Sequence, residues 1–170
     1  GIKAGFFPAN DSGRVGITLQ LPIGTRVEKA EELAKDYLSK GIGAGDAVGV
    51  CVPYCKDIMV HAIAILKIGA VYVPIDDSYP EDRVNYMLED SNREKHDSEV
   101  ALILYTSGTT GRPKGVVHTQ HSLMEMVKWP CNHLPVPMSR DTRCGVVTGF
   151  TFVATTQMLF STIAAGGTLC

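Results

Sequence analysis

The segment of this sequence best equipped for chemistry is a loop that combines glycine, hydroxyl and basic side chains. Residues 105–115 read YTSGTTGRPKG, with three glycines, four Ser or Thr residues, Arg112 and Lys114. Glycines allow neighbouring backbone amides to point at one anion, and hydroxyls add neutral hydrogen-bond donors. A lysine adds a positive charge for phosphoryl oxygens. The segment therefore predicts a loop that binds phosphate groups.

The spacing within this loop differs from that of a P-loop NTPase. Lys114 lies between Pro113 and Gly115, so the Ser or Thr that would follow the lysine and hold magnesium is missing. The loop follows the apolar run ALILYT at 101–106, which predicts a strand. In open α/β sheets, ligands bind beyond the carboxyl ends of the strands, and this loop begins at such an end.

Strands and helices alternate along the rest of the chain. Strands are predicted at 47–52, 71–75, 101–106, 116–118 and 145–148. Helices are predicted at 25–40, 56–68, 80–88, 120–128 and 155–164. Residues 1–24 have no clear period and stay mostly unassigned, and residues 90–98 are expected to form a polar loop. The alternation indicates an α/β fold with a largely parallel sheet flanked by helices.

Capping residues predict the ends of two of these helices. Thr25 with Glu28, and Ser78 with Glu81, have the spacing of capping boxes. Gly41 is expected to end the first helix in a left-handed conformation. One apolar stripe on that helix is predicted from Ala30, Leu33, Ala34, Tyr37 and Leu38.

The overall composition is that of a globular chain, with 45% apolar and 20% charged residues. A net charge of -2 gives no electrostatic basis for binding nucleic acid. The first residues, GIKAGFFPAN, lack the apolar core of a secretory leader, so a cytoplasmic location is expected. The five cysteines are expected to be buried free thiols, and neither they nor the histidines have the spacing of a metal site.

The apolar stretch at 58–75 is nearly long enough to span a bilayer. It contains His61, Lys67, Gly69 and Pro74, however, which a membrane helix would not combine. A buried helix followed by a strand is predicted there, and no membrane segment is expected.

Three segments resemble a known family. LYTSGTTGRPKGV at 104–116 resembles the phosphate-loop motif of the adenylate-forming superfamily, which includes acyl-CoA synthetases, luciferases and the adenylation domains of nonribosomal peptide synthetases. LKIGAVYVPIDDSYPEDRVNYMLEDS at 66–91 is similar to the peptide-synthetase form of an upstream core motif, and GIGAGDAVGV at 41–50 is similar to the turn and strand before it. By this resemblance, which covers roughly 25–170, residues 1–170 are the incomplete N-terminal part of an adenylation domain.

The resemblance implies a two-step enzyme that uses ATP and Mg²⁺. A carboxylic acid is activated as an acyl adenylate, and the acyl group then passes to the thiol of a phosphopantetheinyl carrier protein. Lys114 is the expected catalytic residue and a phosphate contact. The residues expected to bind the nucleotide are Thr106, Ser107, Gly108, Thr109, Thr110, Gly111 and Lys114.

The expected acid-binding residues depart from the family pattern. Val153 stands where members that activate amino acids have an aspartate for the substrate's ammonium, and Ala154 and Gln157 are expected to line the same pocket. An ammonium buried against Val153 would lack a counter-charge, so an acid without an α-ammonium, such as a keto, hydroxy or aryl acid, is favoured. The alternatives are that a carboxylate elsewhere meets the ammonium, or that the site is degenerate.

Two other functions stay open at this stage. One is an acyl-CoA or aryl-CoA ligase of the same superfamily, and the other is a non-catalytic fragment that binds a nucleotide. The family continues well beyond the region matched here and includes a C-terminal lobe with an essential lysine, so the 170-residue chain alone is expected to be inactive. The link at 90–100 is also shorter than in the family.

Overall fold

The computed structural model describes residues 4–5, 18–19, 26–51, 57–107, 111–145 and 148–170. The helices of these residues are α1 (Arg26–Ser39), α2 (Asp57–Lys67), α3 (Glu81–Ser91), α4 (Gln120–His133) and α5 (Val153–Ala164). The strands are β1 (Ala4–Gly5), β2 (Thr18–Leu19), β3 (Ala47–Cys51), β4 (Val71–Ile75), β5 (Val100–Thr106), β6 (Lys114–Thr119), β7 (Arg143–Cys144) and β8 (Thr168–Leu169).

A four-stranded sheet in the order β3-β4-β5-β6 lies at the centre of the described structure. β3 and β4 pair in parallel, with Cys51 opposite Ile75, and β4 is parallel to β5. β6 is antiparallel to β5, with Thr106 opposite Lys114. The short pairs β1-β2 and β7-β8 form separate sheets. The prediction of an α/β fold with a largely parallel sheet is confirmed.

Alternation along the strands divides the core into two layers, because successive side chains of a strand point to opposite faces of the sheet. On one face, Val73, Ile103 and Tyr105 pack together with Met87 of α3. The other face carries a larger cluster, to which Tyr72, Leu102, Leu104, Ala30 of α1, Ile65 of α2, Leu123 of α4 and Phe160 of α5 belong. Helices therefore cover both faces of the sheet.

The α2–β4 unit confirms the prediction of a buried helix followed by a strand. All five residues of β4 are buried, and α2 buries most of its length. Gly69 separates the two elements at a φ of 74°, a backbone conformation that glycine adopts without strain. In the described part of the chain, no helix has both the length and the apolar character needed to cross a membrane.

The end of α1 matches the prediction, but its apolar stripe is shorter than expected. Gly41 has a φ of 83°, and the amide of Ile42 donates to the carbonyl of Tyr37 at 3.0 Å, as in a glycine-capped helix. Leu38 is 54% exposed, because it lies in the last turn at the border of the stripe that packs on α2. The predicted cap Thr25 lies outside the described residues.

The predicted capping box before α3 is wrong. Pro80 is the N-cap residue of α3 and no side chain caps the helix. The Ser78 hydroxyl instead donates to Oδ1 of Asp76 at 2.6 Å, and the Ser78 amide donates to the same oxygen at 2.9 Å. An acceptor two residues upstream closes a tight local turn, and this turn uses the hydroxyl that would have capped the helix.

Several element ends differ from the predictions. α3 continues to Ser91 and α4 to His133, although Pro130 lies inside α4. The strand expected at 145–148 is displaced toward the N-terminus, because β7 takes its partner from β8 at residues 143–144. Residues 146–147 of that prediction lie outside the described residues.

The four described cysteines are free but are not all buried as predicted. Cys144 is buried and Cys131 is partly buried, whereas Cys51 and Cys170 are exposed because each lies at or just past a strand end. Cys55 lies outside the described residues.

The polar loop predicted at 90–98 starts after α3 and rests on the turn before β3. The amide of His96 donates to the carbonyl of Gly45 at 2.9 Å. Lys95 Nζ lies 3.2 Å from Oδ1 of Asp46. These two contacts fix the connection from α3 to β5 against the opposite edge of the sheet from β6.

Candidate functional site

The two ends of the predicted phosphate loop meet at the edge of the sheet. Thr106, the last residue of β5, lies directly opposite Lys114, the first residue of β6. The Thr106 hydroxyl donates to the main-chain oxygen of Lys114 at 3.4 Å. Because β5 is parallel to β3 and β4, this position is at the carboxyl edge of the sheet, where α/β folds bind their ligands.

The predicted phosphate contacts of this hairpin that are described reach solvent. Thr106, Ser107, Gly111 and Lys114 are all exposed. Among the ion pairs formed by the described residues, none includes Lys114. A lysine and two hydroxyls thus lie near one another, exposed, as anion recognition requires.

Of the glycines and threonines predicted at positions 108–111 of the loop, only Gly111 is among the described residues. Gly111 has a φ of 85°, in the left-handed region that favours glycine, and a Cβ there would meet no atom of the described residues within 4 Å. Gly108, Thr109 and Thr110 lie outside the described residues, so their role stays a prediction.

Tyr105, just before the loop, connects the hairpin to α3. Its side chain is buried, and its hydroxyl lies 3.1 Å from the main-chain oxygen of Met87 and 3.0 Å from Oδ2 of Asp90. Burial first, and then the Asp90 carboxylate, raise the pKa of Tyr105 well above its usual value. The hydroxyl therefore keeps its proton and acts as a hydrogen-bond donor. Sequence reasoning missed this residue, because a contact with Asp90 leaves no local pattern.

The far side of the loop also reaches α3. The guanidinium of Arg112 lies over the ring of Tyr86, 5.8 Å from the ring centroid. This is within the range of a cation–π contact. Pro113, the next residue, is buried. The described residues on both sides of the loop therefore lie close to the same helix.

The predicted acid-binding residues lie at the start of α5. Val153 is 50% exposed and Ala154 is exposed, so both are accessible to a ligand. Gln157 is half-buried, and its side-chain amide donates to the main-chain oxygen of Met126 in α4 at 3.0 Å. This hydrogen bond holds α5 on α4 and uses one of the two Nε2 hydrogens, so a substrate could bond to Oε1 or to the second Nε2 hydrogen.

The segment before α5 approaches the carboxyl end of β4. A Cβ on Gly149 would lie 3.8 Å from Oδ2 of Asp76, the residue that follows β4. Partial desolvation, and then the carboxylates of Asp77 and Asp76, raise the pKa of Cys51 at the end of β3. The segment that leads into α5 therefore lies at the same edge of the sheet as the predicted phosphate loop.

His61 takes a structural role between two helices. Nδ1 of His61 lies 2.8 Å from the hydroxyl of Tyr37, between α2 and α1. Burial lowers the pKa of His61 and of His118. Within the described ranges, no three acidic, histidine or cysteine side chains come together as metal ligands.

Comparison with known proteins assigns a family to this arrangement. The family model for AMP-binding enzymes matches residues 27–94 and 92–170. Together the two matched segments include all of the predicted site residues and every helix from α2 onward. The two segments meet at 92–94, in the loop between α3 and β5.

Relatives of the chain include peptide synthetases. Tyrocidine synthase 2 from Brevibacillus parabrevis is 32% identical over 179 residues, which cover 84% of this chain and 5% of that protein. Bacitracin synthase 2 from Bacillus licheniformis is 32% identical over 176 residues, covering 84% of this chain and 7% of that protein. The chain therefore spans a small part of the length of these relatives.

A solved structure shares the fold. The fatty acyl CoA synthetase of Mycobacterium tuberculosis superposes with a TM-score of 0.73 at 22% identity. The superposition covers 98% of this chain and 41% of that protein. The described architecture therefore has the fold of part of that synthetase.

Proposed function

Because the chain belongs to the family of AMP-binding enzymes, we propose that it is part of an enzyme that activates a carboxylic acid with ATP. The observation that carries the proposal is the pairing of Thr106 with Lys114. It brings hydroxyl donors to the carboxyl edge of the sheet, together with a lysine that has no ion-pair partner among the described residues. ATP is a substrate of the proposed reaction, and the loop residues 106–111 with Lys114 are its proposed phosphate contacts.

In the proposed first step, a carboxylate oxygen bonds to the α-phosphorus of ATP. The bond from that phosphorus to the bridging oxygen breaks, and pyrophosphate leaves with the bonding electrons. Lys114 and the hydroxyls of Thr106 and Ser107 hold the β- and γ-phosphates, so that they both orient the nucleotide and stabilise the departing charge. Lys114 is the proposed catalytic residue for this reason.

Magnesium fits this site only through the nucleotide. The described residues around the loop supply hydroxyls and a lysine, which suit phosphate oxygens, and no group of three metal-binding side chains occurs among the residues described. Mg²⁺ bound to the phosphates would neutralise part of their charge. The residues of this chain would then bind the phosphate oxygens that the ion leaves free.

We propose a carrier-protein thiol as the acceptor in the second step. The thiol sulfur attacks the acyl carbon, a thioester forms, and AMP leaves. The peptide-synthetase relatives support this acceptor. The cytoplasm is the proposed compartment, and the free thiols of the described cysteines fit a reducing environment.

The second candidate is transfer to coenzyme A, and the fold shared with a fatty acyl CoA synthetase favours it. Mass spectrometry separates the two candidates. The full gene product is incubated with ATP, a set of acids, and either a phosphopantetheinylated carrier protein or coenzyme A. Acyl loading of the carrier alone supports the first candidate, and acyl-CoA alone supports the second.

The proposed acid carries no α-ammonium. Val153, a half-exposed apolar side chain at the start of α5, would contact a neutral part of the substrate. Gln157 would either accept one hydrogen bond at Oε1, as from a hydroxyl group, or donate its second Nε2 hydrogen, because Met126 takes only one of the two Nε2 hydrogens. Magnesium-nucleotide binding is proposed for the 170-residue chain alone, and adenylate formation for the full gene product.

The test of the proposed first step is substrate-dependent exchange of pyrophosphate into ATP by the full gene product. Exchange should require an acid and should fall strongly in Lys114→Ala. Lys128→Ala is the matched control, because Lys128 is an exposed lysine of α4 that pairs with Glu125. Exchange that is equal in the two variants would remove Lys114 from the proposed site.

A further inference from the structure

The hairpin that carries the phosphate loop has little packing of its own at its outer strand. Lys114, Gly115, Val116 and Val117 of β6 are all exposed. Consecutive residues of a strand point to opposite faces, so residues of β6 on both faces reach solvent at this end. Something other than the packing of β6 must therefore fix the direction in which the loop points.

Tyr105 is the side chain best placed to do this. It is the residue before Thr106, and by the alternation of β5 it points to the face covered by α3. Its hydroxyl has two acceptors on α3, the main-chain oxygen of Met87 and the carboxylate of Asp90. Arg93 lies 3.8 Å from the other carboxylate oxygen of Asp90 and helps to hold that carboxylate in place.

The ring of Tyr105 also contacts the other strand of the hairpin. Gly115 is its partner across the sheet. A Cβ on Gly115 would lie 3.3 Å from Cζ of the Tyr105 ring and 3.0 Å from Cγ2 of Ile103. Glycine therefore lets the ring lie against the backbone of β6, so Tyr105 contacts β6 and α3 together.

A second, weaker contact joins α3 to the far side of the loop. Arg112 lies over Tyr86, one helical turn before Asp90. Two of the α3 residues that contact the hairpin, Tyr86 and Asp90, are thus on one side of the helix. The loop is linked to this side of α3 both before and after the phosphate-binding residues.

We propose that α3 positions the phosphate loop and that the Tyr105 hydroxyl, bonded to Met87 and Asp90, is the main contact through which it does so. Tyr105 is a positioning residue, since it acts through Thr106 and Lys114 and not on the nucleotide itself. The expected effect of Tyr105 on nucleotide binding rests on the proposed function. Its expected effect on the amide exchange of the loop does not.

The test uses Tyr105→Phe in the 170-residue chain, which removes the hydroxyl and keeps the ring on Gly115. Amide hydrogen exchange is followed by NMR, residue by residue, without nucleotide. Exchange at the amides of Thr106, Lys114 and Gly115, which lie in the β5–β6 ladder beside the loop, should rise about two- to tenfold, the range expected for the loss of one hydrogen bond. The dissociation constant for ATP with magnesium should increase by a similar factor.

Tyr37→Phe is the matched control. It removes a tyrosine hydroxyl that is also hydrogen-bonded to a side chain, His61, but between α1 and α2. Its loop exchange and nucleotide affinity should equal those of the unmodified chain. If the two variants raise exchange alike throughout the molecule, Tyr105 only stabilises the fold and the proposal is wrong.

A double-mutant cycle tests the Asp90 part of the contact. Asp90→Ala should raise the amide exchange rate of the loop. Asp90→Asn should leave that rate at the value of the unmodified chain, because an acceptor oxygen remains. In the double variant with Tyr105→Phe, Asp90→Ala should cause no further rise in the exchange rate. The Asp90 variants also serve if Tyr105→Phe does not fold. Additive effects of the two changes would overturn the proposed contact.

The failure of this inference and that of the proposed function give different results. Loop exchange that is unchanged in Tyr105→Phe overturns the positioning role, whatever the nucleotide affinity. If exchange rises as expected but the unmodified chain does not bind ATP with magnesium, the positioning role stands and the nucleotide site is wrong.

Discussion

β4 and β6 belong to the same sheet and have similar lengths, yet they meet opposite environments. Every residue of β4 is buried, whereas Lys114, Gly115, Val116 and Val117 of β6 are exposed. The reason is position, since β4 has a strand on each side and helices over both faces, and β6 has β5 on one side only among the described strands. Stability is therefore concentrated in β4, and the proposed chemistry is concentrated at the start of β6.

The difference between the two strands is tested most directly by replacing one valine in each strand with alanine. Val73→Ala in β4 should lower the free energy of unfolding by about 2–3 kcal/mol, from lost burial and the cavity left behind. Val117→Ala in β6, at a side chain that is 52% exposed, should change it by less than about 0.5 kcal/mol. Urea denaturation measures both. Equal losses would mean that β6 is covered in solution.

A substitution at Lys114 is expected to have the opposite effect, lowering nucleotide binding and leaving stability unchanged. Lys114→Ala should weaken the binding of ATP with magnesium by about 1.5–2 kcal/mol, the lower part of the range for hydrogen bonds to charged groups, because the site is exposed. The free energy of unfolding should stay the same. Isothermal titration calorimetry of Lys114→Ala against the control Lys128→Ala measures the first effect. A loss of stability in Lys114→Ala equal to that of Val73→Ala would contradict the separation of roles.

A smaller effect is expected at the acid pocket. In the full gene product, Val153→Asp should weaken activation of an acid without an α-ammonium by on the order of 1 kcal/mol, because a half-exposed carboxylate is placed against a neutral group. The same change should improve activation of the amino acid with the same side chain, whose ammonium supplies the counter-charge. Pyrophosphate exchange with paired amino, hydroxy and keto acids measures this. A preference of the unmodified enzyme for the amino acid in every pair would show that another residue binds the amine.

The smallest effect concerns two histidines, His61 of α2, which packs on β4, and His118 of β6. Burial lowers the pKa of both His61 and His118. With a folded pKa below the unfolded value of about 6.5, stability is complete above that pH and is lost as the pH falls toward the folded pKa, because the unfolded chain takes up the proton first. His61→Gln should remove more of this pH dependence than His118→Gln, since His61 lies between two packed helices. The free energy of unfolding is measured at pH 7.5 and 5.5 for each variant. An equal change between the two pH values in His61→Gln and His118→Gln would contradict the prediction.

Local patterns predicted the buried half of this comparison well. The apolar run of β4 and the stop at Gly69 gave the bounds of that strand, because a short buried strand and a left-handed glycine are both decided by near neighbours. The predicted capping box at Ser78 is wrong, and its failure is also decided by a near neighbour. Asp76, two residues away, competes for the hydroxyl, and no spacing rule weighs the two acceptors.

The structure of β6 and of the loop before it depends on contacts between residues that are distant in sequence. The glycines and lysine of the loop predicted a phosphate site from sequence alone, but VVH was too short to show the full length of β6. The contact of Tyr105 with Asp90 joins residues from different elements, so neither periodicity nor capping could predict it. The sequence therefore indicated which residues could bind phosphate and left open how they are held.

The antiparallel pairing of β5 with β6 also bears on the order in which the chain folds. The ends of this hairpin, Thr106 and Lys114, are close in sequence, so bringing them together costs little loop-closure entropy. The parallel pairs β3–β4 and β4–β5 each require a long crossover through a helix, and such contacts form more slowly. The mouth of the phosphate loop can therefore close early, from the local chain alone, and its direction is set only when α3 docks against Tyr105.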